Sequence, residues 1–400
     1  MMKISEPFSG HPHRPGTALP VLRLGFRPFY LGGAVFGAIA IALWLLGLHG
    51  AAVAGRSPTL SGVIWHVHEM IFGFIAAIVV GFLLTAVRAW TQLDTPRGAP
   101  LAALWLLWAA GRVLVWSGPE PVAAVVDSLF LPVVAVVLLR VLKAAGNRRN
   151  MFLAVALALL GVLNALFHGW AWDGRADLAL RAAYAATGLA VMFVAVIAGR
   201  VVPMFTTNAI PGFTVRRFQP VETLAAPLMV VTLAADAAGA PALLVGTCAA
   251  VAAVVHAVRI FGWRSWRVGA RPILWILHVA YLWLPVGFAM LALAAFDVLP
   301  HSLAIHALTV GAMGCAIIAM ITRTALGHTG RRLVAGPYEI TAYWLMIAAA
   351  VVRVFGPLVV PAMTGTWIDA AAGCWCAALV VYLLRYAGYL TSARADGKDG

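Results

Sequence analysis

The chain has 400 residues, 63% of them hydrophobic and only 10% charged. With 14 acidic and 28 basic side chains it cannot cover a globular surface in polar groups, which excludes a soluble enzyme and a disordered or collagen-like chain. In an integral membrane protein the net charge of +14 reads as basic loops facing a cytoplasm, and it requires no nucleic-acid partner.

A bilayer core takes about 20 apolar residues per helix. That window predicts an all-α, polytopic bundle of twelve transmembrane helices. The first six are expected at Phe29–His49, Ile64–Val87, Pro100–Ser117, Pro121–Leu142, Met151–Ala171 and Leu180–Pro203. The rest are expected at Gln219–Asp236, Ala240–Gly262, Pro272–Phe296, Pro300–Thr322, Pro337–Phe355 and Ala362–Tyr389. The weakest separation is Asp236–Ala240. Residues 1–28 form an N-terminal arm, 29–389 the membrane domain and 390–400 a C-terminal tail. The first span is followed by Ala52-Val53-Ala54, as at a signal-peptide cleavage site, but its apolar run is too long for a signal core and it is read as an uncleaved helix.

The basic residues set the orientation. With the N-terminus inside, 23 of the 28 Lys and Arg fall on the cytoplasmic side, including Arg27, Arg88, Arg149, Arg200, Arg217, Arg259 and Arg323. Only Arg56, Arg112, Arg175, Arg181 and Arg353 fall on the other. Both termini are therefore expected in the cytoplasm, and an odd number of spans would destroy the alternation.

The four cysteines, Cys248, Cys315, Cys374 and Cys376, all lie within spans and imply no disulfide framework. Residues two apart on a helix point about 200° apart, so Cys374 and Cys376 do not share a metal and read as core residues. Arg112 with Asp127, and Arg353 with Asp369, read as ion pairs between neighbouring helices.

Histidine is the informative residue, since polar groups at membrane depth are costly and mark function. His11 and His13 lie in the arm and His49 at a span end. His66 and His68 on span two, His168 on span five and His306 on span ten share one outer level, which suits a metal or haem site in a bundle. His66 should share its helix face with Glu69 and Met70, and His68 with Phe72. Asn164 lies one turn before His168 and is expected to orient its ring. His68 and His306 are the foremost cofactor ligands on this reading, with His66 and His168 next. Met70 and Met313 are candidate soft metal ligands, and Glu69 is a candidate proton carrier from the outer phase. A second, inner centre is expected from His278, Arg200, Arg323 and His328, with the arginines as candidate cofactor anchors and His328 a further metal ligand.

Several motifs resemble the NnrS family of bacterial membrane proteins. They are Phe26-Arg27-Pro28-Phe29, Trp65-His66-Val67-His68-Glu69-Met70, Gly81-Phe82-Leu83-Leu84-Thr85-Ala86, Gly199-Arg200-Val201-Val202-Pro203-Met204-Phe205, His306-Ala307-Leu308-Thr309-Val310-Gly311 and Thr322-Arg323-Thr324-Ala325-Leu326-Gly327-His328. The chain departs from the pattern at Val87-Arg88-Ala89-Trp90, where Pro-Asn stands in the family. The resemblance implies a haem- and copper-containing protein of the bacterial inner membrane, with haem of the b type. It implies a role in nitric oxide metabolism and protection from nitrosative stress. Its partners would be the lipid bilayer, nitric oxide or a nitrosylated species, and an electron donor of unspecified kind. Redox chemistry at an intramembrane site is the leading mechanism. The alternative is transport of a metal or nitrosylated metal species, for which twelve spans are typical but a convincing internal repeat is lacking.

Overall fold

The computed structural model describes residues 19–51, 60–398 and 400. Lys3, His11, His13, Arg14, Arg56 and Ala52-Val53-Ala54 lie outside the described residues. Among the described residues there is no strand, and twelve helices are long and apolar enough to cross a membrane. They are α1 (Phe26–Leu48), α2 (Gly62–Thr91), α3 (Ala99–Ser117), α4 (Glu120–Ala144), α5 (Arg148–Trp172) and α6 (Ala176–Ala209). They continue as α7 (Gln219–Ala238), α8 (Ala242–Arg267), α9 (Pro272–Ala295), α10 (His301–His328), α11 (Pro337–Val359) and α12 (Pro361–Thr391). Each overlaps the expected span. The break expected at Asp236–Ala240 is real: α7 ends at Ala238, Gly239 adopts φ +68° beyond it, and Arg181 donates to the Ala238 carbonyl at 2.7 Å.

Three helices are buried along most of their length, α2, α9 and α10, and the rest surround them. Among the described residues only α2 and α10 carry a π segment in mid-helix. A π segment runs through Glu69–Ile75 in α2, immediately after His68, and another through Ala307–Gly314 in α10, immediately after His306. Such segments cluster at functional sites, because an inserted residue turns side chains out of α register. In α2 the Gly73 carbonyl also accepts the Trp108 indole N–H at 3.0 Å.

The chain ends are joined. Arg27, wholly buried at the start of α1, donates to the carbonyls of Leu390 (2.9 Å), Ser392 (2.8 Å) and Gly400 (2.7 Å). The residue read from sequence as a charge at the membrane edge is a clamp across both ends of the bundle. Both ends therefore share one face, the one bearing most arginines. A phosphatase active only outside the cytoplasm, fused after Gly397, is expected to be inactive. High activity would put that face outside.

Candidate functional site

The outer-level histidines separate into two pairs on opposite sides of α2. The first pair sits in a buried polar cluster shared by α2, α3, α4 and α5. His68 faces an acceptor at each ring nitrogen: Glu69 Oε1 is 2.9 Å from Nδ1, while Asn164 Oδ1 (3.0 Å) and Asp127 Oδ2 (3.1 Å) face Nε2. His168 Nε2 lies 3.0 Å from the same Asp127 oxygen, which also accepts the Asn164 amide at 2.7 Å. Arg112 Nη1 is 2.7 Å from both Glu69 oxygens, and Nη2 pairs with Asp127 Oδ1. All six side chains are buried.

Glycine makes this approach feasible. A Cβ on Gly73 would lie 2.8 Å from Arg112 Nη1, and one on Gly111 would lie 2.9 Å from Asp127 Oδ1. Both helices must present bare backbone where the charges meet.

His68, Asp127 and His168 converge on one point, with ligand atoms within 4.8 Å of one another. Glu69 and Asp127 bring two negative charges and Arg112 one positive charge. Neutrality in this dry interior calls for one more positive charge, met either by a second proton on His68 or by a monovalent cation. A metal fits the donor set. If it takes His68 Nε2 and His168 Nε2, the Nδ1–H of His68 still donates to Glu69, the usual carboxylate support of a ligating imidazole. His168 also borders a cavity of about 450 Å³ lined by Glu120, Ser128 and Trp172 at the outer ends of α3, α4 and α5.

The second pair lines a cavity of about 430 Å³ between α1, α2, α6, α10, α11 and α12. His66 and His306 border it, with Met70, Met313 and Arg353, against Trp44, Phe74 and Trp375. His306 Nδ1 donates to the Ser302 carbonyl at 2.6 Å, which leaves the Nε2 lone pair as its free coordinating position. The His66 ring stacks on Trp44 with centroids 4.2 Å apart. A haem suits such walls: a flat apolar ring, an imidazole for iron, and a cation for carboxylates.

Four expectations change. Glu69 joins His68 rather than His66, because the π segment begins at Glu69 and rotates less per residue than an α-helix; Met70 goes to the His66 cavity. Asn164 bonds Asp127 and His68 rather than His168. Arg112 and Asp127 do pair, but within the histidine cluster rather than apart from it. Arg353 and Asp369 do not pair: His49, set aside on sequence grounds, holds Asp369 at 2.9 Å, and Arg353 borders the second cavity.

His68 and His306, expected foremost, thus occupy different places. The inner set is dispersed. His278 lies between the hydroxyls of Ser265 (2.8 Å) and Thr206 (3.0 Å), and Arg200 donates to Asn150 at 3.0 Å. Arg323 lies over the Phe205 ring at 3.9 Å, and the His328 ring packs on Phe26 at 5.6 Å. Among the described residues no hydrogen bond or ion pair joins any two of these four. Sequence reasoning missed the roles of Asp127 as the hub of the cluster and of Arg353 as a cavity residue. Both were assigned to helix pairs, and nothing in the residue pattern set them apart from such pairs.

Removing Arg112 leaves two buried carboxylates facing each other. Arg112→Met is expected to cost about 3–5 kcal/mol. The loss would be read as lowered thermal stability in detergent, and an unchanged melting temperature would refute the charge account.

No curated protein matches the chain. A family model described as NnrS protein matches residues 20–394, nearly the whole length, including both π segments and every residue of the two histidine centres. With its twelve apolar helices, the chain is a multi-pass membrane protein that belongs to the NnrS family.

Proposed function

We propose that this protein binds haem in the cavity bordered by His66 and His306 and copper at the His68–Asp127–His168 cluster. It then acts in nitric oxide metabolism, or in protection from nitrosative stress, at the bacterial inner membrane. The observation that carries this reading is His306. Its Nδ1 is anchored to the Ser302 carbonyl 2.6 Å away, and among the described residues Nε2 has no hydrogen-bond partner and Arg353, which borders the same apolar cavity, has no acidic one. Family membership supports the association with nitric oxide.

When bound, haem supplies an iron that takes nitric oxide and exchanges single electrons, and copper supplies a second one-electron centre. The chain's own groups have distinct tasks around them. His306 would hold iron. His66, braced by Trp44, would offer its one lone pair to iron or its N–H to a bound diatomic molecule. Arg353 would neutralise the propionates, the task expected from sequence of Arg200 and Arg323, neither of which borders this cavity. Met70 and Met313 offer polarizable contacts at the ring edge.

On the other side of α2, Glu69 fixes His68 and Asp127 collects two imidazoles. His168 connects that cluster to the outer cavity, so while no metal occupies the imidazole nitrogens a proton entering past Glu120 would reach Asp127 through His168 and His68 through Asp127. Glu69, bonded to His68 and Arg112, would end that route. Electrons would come from a separate donor.

Two outcomes test this. His306→Ala is expected to abolish the visible haem spectrum of purified protein while leaving copper per chain unchanged, and Arg353→Gln to weaken haem retention. Haem kept in full by both variants would remove haem from this cavity. His168→Ala should lose copper with haem intact, and Glu69→Gln should weaken copper binding about 10–100-fold. Copper unchanged in both, measured as metal per chain against free copper, would leave the cluster as a purely electrostatic device.

A further inference from the structure

On the arginine-rich face, away from both histidine centres, a pocket of about 380 Å³ opens among α5, α6, α7 and α8. Four arginines line it: Arg149 at the start of α5, Arg200 on α6, Arg217 in the connection to α7, and Arg259 near the end of α8. Its one carboxylate is already committed. Glu222 receives Arg259 Nε at 3.1 Å and Nη2 at 2.6 Å. Arg200 donates to the neutral amide oxygen of Asn150, and among the described residues neither Arg149 nor Arg217 has an acidic partner. Three positive charges around one pocket therefore lack a counter-charge.

The pocket is built rather than incidental. A Cβ on Gly199 would lie 2.6 Å from Arg259 Nη2, so that glycine lets the guanidinium lie against α6. His256, wholly buried, also lines it: Nδ1 is engaged by the Tyr281 hydroxyl at 2.8 Å, while Nε2 has no partner. The deeper wall is apolar, formed by Ala195, Ala225 and Met229. A soluble anion uses only the arginine rim. A phosphate carried on a glycerol backbone uses both the rim and the apolar wall, and the rim lies at the membrane edge, where headgroups are. Basic pockets between transmembrane helices take lipid headgroups in this way.

We propose that this pocket is a phosphate site for the headgroup of an anionic phospholipid. The site does not rest on the haem and copper reading, and its test uses no cofactor signal. Purified full-length protein, stripped of co-purifying lipid, is titrated with phosphatidylglycerol, phosphatidylcholine or inorganic phosphate, and bound molecules per chain are counted by native mass spectrometry. One phosphatidylglycerol should bind in preference to phosphatidylcholine. Arg200→Gln with Arg217→Gln should weaken it about 25-fold, at about fivefold for each arginine. Arg149→Gln, at an exposed position, gives the single-site control should the double variant fail to fold, and is expected to weaken binding about fivefold. Binding of inorganic phosphate without preference between the lipids would overturn the lipid source and leave a soluble anion in its place. Equal binding of both lipids, with no response to any of the substitutions, would overturn the site.

Discussion

A carboxylate cannot stay charged in the middle of a bundle without a partner, and most of the outer half of this protein is arranged around that constraint. Arg112 bridges Glu69 and Asp127, binding α2, α3 and α4 through one guanidinium. Replacing all three groups by packed apolar residues would be energetically comparable, so burial of such a set argues for a use beyond stability. The remaining charge imbalance is what makes the cluster responsive, because a proton and a monovalent cation compete for the same compensation. Gly73 and Gly111 are consequences of the same constraint, since the charges meet only where the helices carry no side chain.

The two histidine centres are separated by very little chain. Residues 66 and 70 belong to one, and residues 68 and 69 to the other, on the same two turns of α2. That division places the cavity bordered by His66 and His306 and the candidate metal cluster back to back across a single helix. A second π segment follows His306 on the opposite wall of the cavity, so both helices that offer it an imidazole are wound irregularly there.

Much of this was legible in the residues alone. Apolar runs and the distribution of Lys and Arg revealed twelve spans, because bilayer thickness sets helix length directly. Depth along each span brought His66, His68, His168 and His306 to one level. Azimuth was not legible. It follows from counting about 100° per residue, and the π segment at Glu69 breaks that count, sending Glu69 to His68 instead of His66. Pairing between helices was legible only where a tight turn fixes the neighbours, as for Arg112 and Asp127. Arg353 and Asp369 look equivalent in sequence, but His49 reaches Asp369 from a helix far away in the chain. The dispersal of His278, Arg200, Arg323 and His328 has the same origin: a shared depth says nothing about position around the bundle.

The clamp at Arg27 bears on how the protein is made. α1 leaves the ribosome long before α12 and packs directly against it, with Trp375 and Cys376 donating to the carbonyls of Gly37 and Ala38. The carbonyls that receive Arg27 are synthesised only with the end of α12 and the residues after it. Until then this guanidinium lacks its final partners, and lipid or the insertion machinery must shield it. The contact that closes the bundle between α1 and α12 therefore forms late in synthesis, whereas α1 already has α2, its neighbour in the chain, to pack against.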